Sequence, residues 1–171
     1  LGLGQMGQRC AQRLSALGFN LLGWSRSAKE INGVRCSHGA ESLQDVLQQA
    51  SITVLLLPPT AQTENLLDMA AFDVMPKGSY LINCSRGEIV VRDDLLAVLE
   101  NGRLAGATLD AFVQEPLPGD GPFWVHPKVR VTPHIAALSA PDTAALVLAD
   151  QVRRARNGQR LAEQVDIDHG Y

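Results

Sequence analysis

The sequence is poor in cysteine: it has only Cys10, Cys36 and Cys84, an odd number that never forms a CxxC pair. Disulfide frameworks and zinc sites use paired cysteines, so this distribution argues against both and predicts no metal ligands. Scattered free thiols fit a reducing compartment. We therefore expect a cytoplasmic protein without a metal centre.

The chain also lacks a basic excess, since 15 Lys and Arg stand against 18 Asp and Glu and give a formal charge of −3. Binding to a nucleic-acid backbone needs an excess of positive charge, so we expect no nucleic-acid partner. Long apolar runs are missing too, because a run such as 52–59 is far shorter than the roughly 20 residues of a membrane-spanning helix. No signal-like segment opens the chain, so we expect no membrane association.

The composition is that of a globular protein, with 46% hydrophobic and 19% charged residues. Short apolar runs alternate with helical patterns, which predicts a doubly wound parallel α/β sheet of the Rossmann type. The predicted strands are 20–24, 33–37, 51–57, 79–84, Leu104–Leu109 and Val129–Val131. The predicted helices are 6–17, 42–49 with Ser42 as its N-cap, 61–67, Arg92–Glu100 and 143–156, before a polar tail over 159–171. Such sheets bind ligands beyond the carboxyl ends of their strands.

The chain opens at Leu1 inside a glycine-rich loop and has no initiator Met. A strand normally feeds such a loop, and only Leu1 of it can be present here. We expect the C-terminal part of a longer protein. On this interpretation residues 1–171 form an NAD(P)-binding domain with a C-terminal helix and tail, which lacks most of its first strand and an N-terminal substrate domain.

The opening string, GLGQMG at 2–7, matches GxGxxG, and a helix of the right phase starts inside it. Its three glycines would permit a tight turn, close approach of a pyrophosphate and close packing of the helix on the sheet. Backbone N–H groups and the helix dipole would hold the anion, whereas the alternative is a turn without a ligand. The residues predicted to bind the pyrophosphate are Gly2, Gly4, Gln5, Met6 and Gly7.

The end of the next predicted strand indicates which dinucleotide binds. NAD-preferring sites carry an acid about 20 residues after the glycine loop, but no acid precedes Glu30. Arg26 and Lys29 would suit a 2′-phosphate, and Arg26 ranks first because its guanidinium can also stack on adenine. The alternative is a solvated surface turn. We predict that NADP(H) is preferred over NAD(H), with contacts from Trp24, Ser25, Arg26 and Ser27.

Three chemically complementary residues follow three predicted strands: Arg86, Glu115 and His134. A guanidinium can bind the carboxylate of a 2-oxo acid, and an imidazole can give a proton to the alkoxide that forms on hydride addition. A carboxylate can fix the tautomer of that imidazole. Each residue alone could be structural: a strand-end cap, a loop acid or a buried histidine. Together they predict a catalytic site at one edge of the sheet.

These segments resemble the nucleotide-binding domain of D-isomer-specific 2-hydroxyacid dehydrogenases, and most of all the bacterial NADP-dependent glyoxylate/hydroxypyruvate reductases within that family. The order and spacing of the Arg, Glu and His motifs carry the resemblance, which covers essentially the whole chain. The matching strings are GLGQMG at 2–7, GWSR at 23–26, LLP at 56–58, NCSRG at 83–87, DDLL at 93–96, LDAF and EPLP within 109–118, WVHP at 124–127, TPHIA at 132–136 and the ending at 164–171.

The resemblance implies roles for individual residues. Arg86 would anchor the substrate, Glu115 would orient the imidazole, and His134 would be the acid–base. Asp110 would contact the nicotinamide carboxamide, and the Pro58 backbone and Thr63 would line the adenosine side. The remaining cofactor contacts implied are Leu57, Cys84, Ser85, Arg86 and His134.

The resemblance also implies a cytoplasmic homodimer that reduces glyoxylate or hydroxypyruvate. Because family members close an N-terminal domain over the nicotinamide, we expect residues 1–171 alone to be inactive or nearly so.

Two alternatives remain at this stage. The glycine string is also typical of β-hydroxyacid dehydrogenases, which use a catalytic lysine on a later helix, but after Lys77 the sequence offers only Lys128. Some transcriptional corepressors share the same fold and sense dinucleotides without turning them over.

Overall fold

The computed structural model describes residues 1–162 and 164. The chain divides into two compact units, Leu1–His134 and Ile135–Tyr171. The predicted motif at 164–171 and the end of the predicted tail lie, apart from residue 164, outside the described residues.

The first unit contains six strands, all paired in parallel. Two of them, β1 and β2, form one sheet, and the other four form a second sheet in the order β3-β4-β5-β6. This arrangement confirms the predicted parallel α/β architecture. The strands are β1 Leu21–Ser25, β2 Val34–His38, β3 Ile52–Leu55, β4 Ser79–Asn83, β5 Leu104–Leu109 and β6 Val129–Val131.

The last residues of the four strands β3 to β6 lie side by side. Leu55 pairs with Asn83, Asn83 with Leu109, and Leu109 with Val131. We call this row the strand-end line. Every loop that follows one of these strands therefore starts from the same edge, as the sequence predicted.

The helices pack on the sheets through apolar faces, which form because their apolar residues recur with helical spacing. Phe72, Leu47 and Leu99 are fully buried in the core, together with Leu55 and Leu81 from the strands. The helix predicted at Arg92–Glu100 is confirmed to the residue. The helices of the first unit are α1 Gln5–Ala16, α2 Leu43–Leu47, α3 Met69–Val74, α4 Arg92–Glu100 and α5 Pro122–Val125.

The helix predicted at 61–67 is wrong. Turns occupy this segment, and Thr63 stabilises them because its hydroxyl donates to the Pro58 carbonyl at 2.6 Å and accepts the Thr60 N–H at 2.8 Å. Asn65 has a left-handed φ of 53°, which a continuing helix would not allow. The helix begins later, at Met69, where the Asp68 carboxylate caps it by accepting the N–H of residue 71.

Ser42 is the N-cap residue of α2, as predicted, but its side chain does not cap the helix. Its hydroxyl donates to the carbonyls of His38 and Gly39, at 2.8 and 3.2 Å, and makes no capping bond to α2. The side chain therefore closes the turn after β2, because a serine hydroxyl can bond back to a carbonyl three or four residues earlier.

Residues 1 and 2 join the two sheets through the backbone. The Leu1 nitrogen donates to the Val54 carbonyl, the Leu1 carbonyl accepts the Leu56 N–H, and Gly2 donates to the Trp24 carbonyl at 2.8 Å. Beside them lies a cleft of about 1060 Å³ between the β1 and β3 segments. These bonds fix the start of the glycine loop at the point where both sheets end.

The second unit contains α6, Pro141–Arg156, which begins two residues before the predicted 143. Proline suits the first helical turn because that turn has no use for its missing N–H. Asp142 lies in the first turn and three arginines in the last, which complements the helix dipole. The Arg154 hydrogen bond, together with the Arg154 and Arg153 charges, lowers the pKa of Asp150.

Candidate active site

The three side chains of the predicted catalytic set meet at the strand-end edge. His134 Nδ1 lies 2.8 Å from Glu115 Oε2, and His134 Nε2 lies 3.4 Å from Arg86 Nη1. The three residues are separated in sequence by up to 48 positions. They come together because β4, β5 and β6 end in one row and deliver their loops to one place.

The contacts of His134 define its tautomer. A guanidinium can only donate, so the Arg86 N–H points at a lone pair on Nε2. The ring proton is then on Nδ1, from which it is donated to Glu115. Nε2 is therefore the atom free to exchange a proton with a ligand that takes the place of Arg86.

Glu115 is held by two donors. Oε2 accepts from His134, and Oε1 accepts the Phe112 N–H at 2.9 Å. The hydrogen bond from His134 lowers the pKa of Glu115 most, followed by the Phe112 N–H and the nearby charges of His134 and Arg86. Glu115 is thus an ionised carboxylate at neutral pH that faces the imidazole.

The backbone aims His134 into the site by an unusual conformation. Its φ is 53°, a value that few residues other than glycine adopt, and its N–H bonds to the Thr132 carbonyl at 3.1 Å. Such strain concentrates at functional positions.

Arg86 is positioned by the turn that follows β4. Asn83 is 1% exposed; its side-chain N–H donates to the Arg86 carbonyl, and its oxygen accepts the Ser85 N–H, both at 2.9 Å. The Arg86 guanidinium also donates to the Ser85 carbonyl at 2.8 Å. Sequence reasoning missed Asn83, although an asparagine at a strand end is a frequent turn former.

The glycine loop forms a cradle open to a ligand. Gly2 has a φ of 94°, and a Cβ there would lie 2.4 Å from the Leu56 carbonyl oxygen. A Cβ on Gly7 would lie 1.9 Å from the Gly2 oxygen, so Gly7 lets the helix approach its own loop. A Cβ on Gly4, in contrast, would meet nothing within 4 Å. Gly4 is the N-cap of α1, where Gln5 and Met6 begin the first turn.

This cradle fits a dinucleotide pyrophosphate. The helix presents its N-terminal N–H groups to the open side of the loop. Its N-cap residue, Gly4, has no side chain that could cap them. The first turn of α1 contains no acid that would repel a phosphate.

The turn after β1 divides the four predicted contacts into two kinds. Trp24 is 6% exposed and its indole N–H donates to the Gly39 carbonyl at 2.8 Å. Ser25 is buried and donates to the Ser27 carbonyl. Arg26 and Ser27 are exposed. The first pair therefore shapes the turn, and the second pair presents the side chains that a 2′-phosphate would meet.

The loops after β3 and β4 are bonded to each other. The buried Leu57 donates its N–H to the buried Ser85 hydroxyl at 2.9 Å. Pro58 offers its carbonyl to Thr63, whose side chain is buried. Hydrogen bonds thus link the predicted cofactor contacts near the start of the glycine loop, which are Leu57, Pro58, Thr63 and Ser85.

Asp110 and Cys84 directly follow β5 and β4 at the strand-end edge. Asp110 is 3% exposed, and the Thr132 hydroxyl donates to its Oδ1 at 2.5 Å. Burial raises the pKa of the Cys84 thiol, and the Asp110 and Cys10 charges raise it further. Sequence reasoning missed Thr132, whose only signal is its place directly before Pro133 and His134.

The described part of the chain holds no group of three or more His, Cys, Asp or Glu side chains placed to bind a metal ion. None of its helices is long and apolar enough to cross a membrane.

Residues 1–136 match the family model "D-isomer specific 2-hydroxyacid dehydrogenase, NAD binding domain". The chain belongs to this family. The match confirms the resemblance read from the sequence motifs, and it places the glycine loop and the Arg–Glu–His cluster inside the matched dehydrogenase domain.

Two curated relatives of this dehydrogenase domain are named glyoxylate/hydroxypyruvate reductase A. The protein from Serratia proteamaculans is 46% identical over 171 residues, and the one from Photorhabdus laumondii is 43% identical. The alignments cover 100% of this chain and 55% of each relative. The chain therefore spans about half the length of these relatives.

Solved structures of the family match the fold closely. A D-isomer specific 2-hydroxyacid dehydrogenase from Xanthobacter autotrophicus, in complex with NADPH and MES, gives a TM-score of 0.97 at 40% identity. The match covers 99% of this chain and 70% of that one. The NADPH-dependent glyoxylate/hydroxypyruvate reductase from Sinorhizobium meliloti, in complex with NADP and sulfate, gives 0.94 at 37% identity, with 99% and 55% coverage.

Proposed function

We propose that this chain is the NADP(H)-binding part of an oxidoreductase that reduces small 2-oxo acids, such as glyoxylate and hydroxypyruvate, to 2-hydroxy acids. The observation that carries the proposal is the contact of His134 with Glu115 on one ring nitrogen and Arg86 on the other. Family membership and the named functions of the relatives support it.

In this proposal each residue has one task. Arg86 binds the substrate carboxylate with two parallel N–H groups and so leaves Nε2 of His134. His134 donates a proton from Nε2 to the substrate oxygen and takes it back in the oxidative direction. Glu115 fixes the ring through Nδ1 and balances its charge while it is protonated. Bound NADPH supplies the hydride, so the protein contributes position and charge.

The cofactor preference rests on the turn after β1. Arg26 and Ser27 are exposed there, and no acid precedes Glu30 to bind ribose hydroxyls or repel a 2′-phosphate. Two solved relatives are complexes with NADPH or NADP. We propose NADP(H) as the preferred cofactor, with weaker binding of NAD(H), while Asp110 contacts the carboxamide.

The remaining expectations concern the whole protein. We propose a cytoplasmic homodimer without nucleic-acid or membrane partners. Because the curated relatives are nearly twice as long as this chain, we also propose that residues 1–171 bind cofactor but turn over 2-oxo acids poorly. An open site lets water compete around the reacting groups.

The test is a chimera that joins this chain to the remaining segments of the Serratia proteamaculans reductase. NADPH oxidation is followed with glyoxylate, hydroxypyruvate, pyruvate and a 3-oxo acid. We expect 2-oxo acids to be reduced, and His134→Ala to lower kcat roughly 10²- to 10⁴-fold while NADPH affinity is retained. The matched control His38→Ala changes an exposed histidine outside the cluster.

Equal rates for His134→Ala and the parent chimera would remove His134 from the mechanism. Preference for the 3-oxo acid would favour the β-hydroxyacid class. NADPH binding without oxidation by any oxo acid would favour a dinucleotide-sensing module.

A further inference from the structure

Gly87 touches the loop that carries Glu115. A Cβ built on Gly87 would lie 2.1 Å from the Val113 nitrogen and 2.3 Å from the Phe112 carbonyl carbon. Both are backbone atoms, so no change of side-chain rotamer could relieve the overlap. The φ of Gly87 lies outside the left-handed region, so glycine is needed there for space rather than for its backbone conformation.

The peptide that rests on Gly87 belongs to the support of Glu115. The Phe112 N–H donates to Glu115 Oε1 at 2.9 Å, and Glu115 Oε2 bonds to His134. On its other side Gly87 is bonded directly to Arg86, whose guanidinium contacts His134 Nε2. The Arg86 turn and the 112–115 loop flank the imidazole, and their backbones are therefore in contact at Gly87.

We propose that Gly87 is a positioning residue for the acid–base pair, which sets the depth at which the 112–115 loop seats Glu115 against His134. The inference rests on the proposed function for its catalytic meaning. It goes beyond that function because it explains the close spacing between the Arg86 turn and the Glu115 loop by the absence of a side chain at Gly87.

The size of the effect follows from the distances. A Cβ needs about 3.4 Å for ordinary contact, so the Phe112–Val113 peptide would have to retreat by more than 1 Å in a Gly87→Ala variant. A retreat of that size would break the 2.8 Å contact between Glu115 and His134. Displacements of 1 Å near reacting groups can cost about 10²-fold in rate.

A cavity borders the loop beside Gly87. Gly87, Phe112 and Val113 border a cavity of about 380 Å³, which is also lined by Val90 and Leu95. We therefore expect Gly87→Ala to fold with a displaced loop. Gly119→Ala is the matched control, because Gly119 lies in the same long loop, has no left-handed φ and would place its Cβ in open space.

The first readout is the titration of the Glu115 side-chain carboxyl carbon by NMR in the 171-residue chain. His134, the Phe112 N–H and Arg86 together lower the pKa of Glu115, so displacement should raise its midpoint toward that of a free glutamate. We expect this rise in Gly87→Ala and no rise in Gly119→Ala. A folded Gly87→Ala chain with the parent midpoint would overturn the inference.

A second measurement uses the unaltered chain, so it tests the inference even if Gly87→Ala does not fold. We expect an NOE between the Gly87 Hα protons and the Val113 amide proton. We also expect the amide chemical shifts of Gly87 and Phe112 to change with pH at the same midpoint as the Glu115 carboxyl. The Gly119 amide should not follow it. Absence of the NOE or of the shared midpoint at Gly87 would overturn the proposal.

A third readout separates this inference from the proposed function. In the chimera, Gly87→Ala should lower kcat for the 2-oxo acid about 10²-fold and leave the KM for NADPH near its parent value. A chimera without 2-oxo acid reductase activity would overturn the proposed function, but both NMR readouts would still decide the role of Gly87.

Discussion

His134 and Glu115, 19 residues apart in the chain, are joined by a 2.8 Å contact between Nδ1 and Oε2. The contact fixes the ring tautomer, and it also couples the protonation of the carboxylate to the folded state. The side chains are 41% and 36% exposed, so solvent screens part of this coupling.

The pH dependence of stability should report this contact. The pKa of Glu115 is lower in the folded chain, so its contribution is fully present above the ordinary glutamate pKa of about 4.3 and is lost as pH falls through the folded value. Glu115→Gln should therefore cost stability near neutral pH and cost progressively less in acid. Urea unfolding between neutral and acidic pH measures this difference.

The control for that measurement is Glu64→Gln, which changes an exposed carboxylate on another loop. Its free energy of unfolding should differ from the parent by the same small amount at every pH. A constant difference for Glu115→Gln would show that the carboxylate is not coupled to folding.

The 2′-phosphate assignment predicts a selective loss of affinity in Arg26→Ala. A charge-assisted hydrogen bond contributes about 1.5–3 kcal/mol, so NADPH affinity should fall roughly tenfold to 100-fold while NADH affinity changes little. Calorimetric titration of the 171-residue chain with both cofactors measures the two constants. Lys29→Ala should have the smaller effect, and equal losses for both cofactors in Arg26→Ala would disprove the assignment.

The glycine cradle predicts opposite signatures for two alanine substitutions. Gly4→Ala places its Cβ in space empty of protein atoms, so Tm should change little while NADPH and NADH affinities both fall. Gly7→Ala places a Cβ 1.9 Å from the Gly2 oxygen, so Tm should fall as well. Thermal unfolding and calorimetry together check both. Unchanged cofactor affinity in Gly4→Ala would remove this loop from the binding site.

The Cys84 thiol should respond to Asp110. The carboxylate raises the pKa of Cys84, although burial raises it more. Asp110→Asn should therefore lower that pKa and speed iodoacetamide alkylation at mildly alkaline pH, as followed by peptide mass spectrometry. Asp120→Asn, which changes an exposed loop acid, should leave the rate unchanged. No acceleration in Asp110→Asn would show that the charge does not reach the thiol.

Much of the framework was predictable because local signals and packing agree there. Helix α4 and strands β5 and β6 match their predicted bounds to the residue, since each combines clear periodicity with a turn signal. The helix prediction for 61–67 failed because the spacing of its apolar residues resembles that of a helix. Thr63 and Asn65 form bonds and a backbone conformation there that no hydrophobic pattern records.

The meeting of Arg86, Glu115 and His134 at one edge was predictable from the sequence, whereas the side chains that support them were not. Arg86, Glu115 and His134 stand out because their chemistry is complementary and each follows a strand. Asn83 holds its own turn through two short-range hydrogen bonds, and Thr132 bonds to Asp110, which lies 22 residues away. Neither kind of contact leaves a pattern in the sequence. The left-handed φ of His134 has no sequence signal either, because histidine does not require it.

The strand-end line also bears on redesign. The loops after Leu55, Asn83, Leu109 and Val131 start from one shared row of backbone, so strand pairing fixes where each exchanged loop would begin. Loops that are bonded to each other, such as those that carry Leu57 and Ser85, would have to be exchanged together. A slip of one residue in any strand, in contrast, would reverse which side chains face the core and would move one loop out of the row.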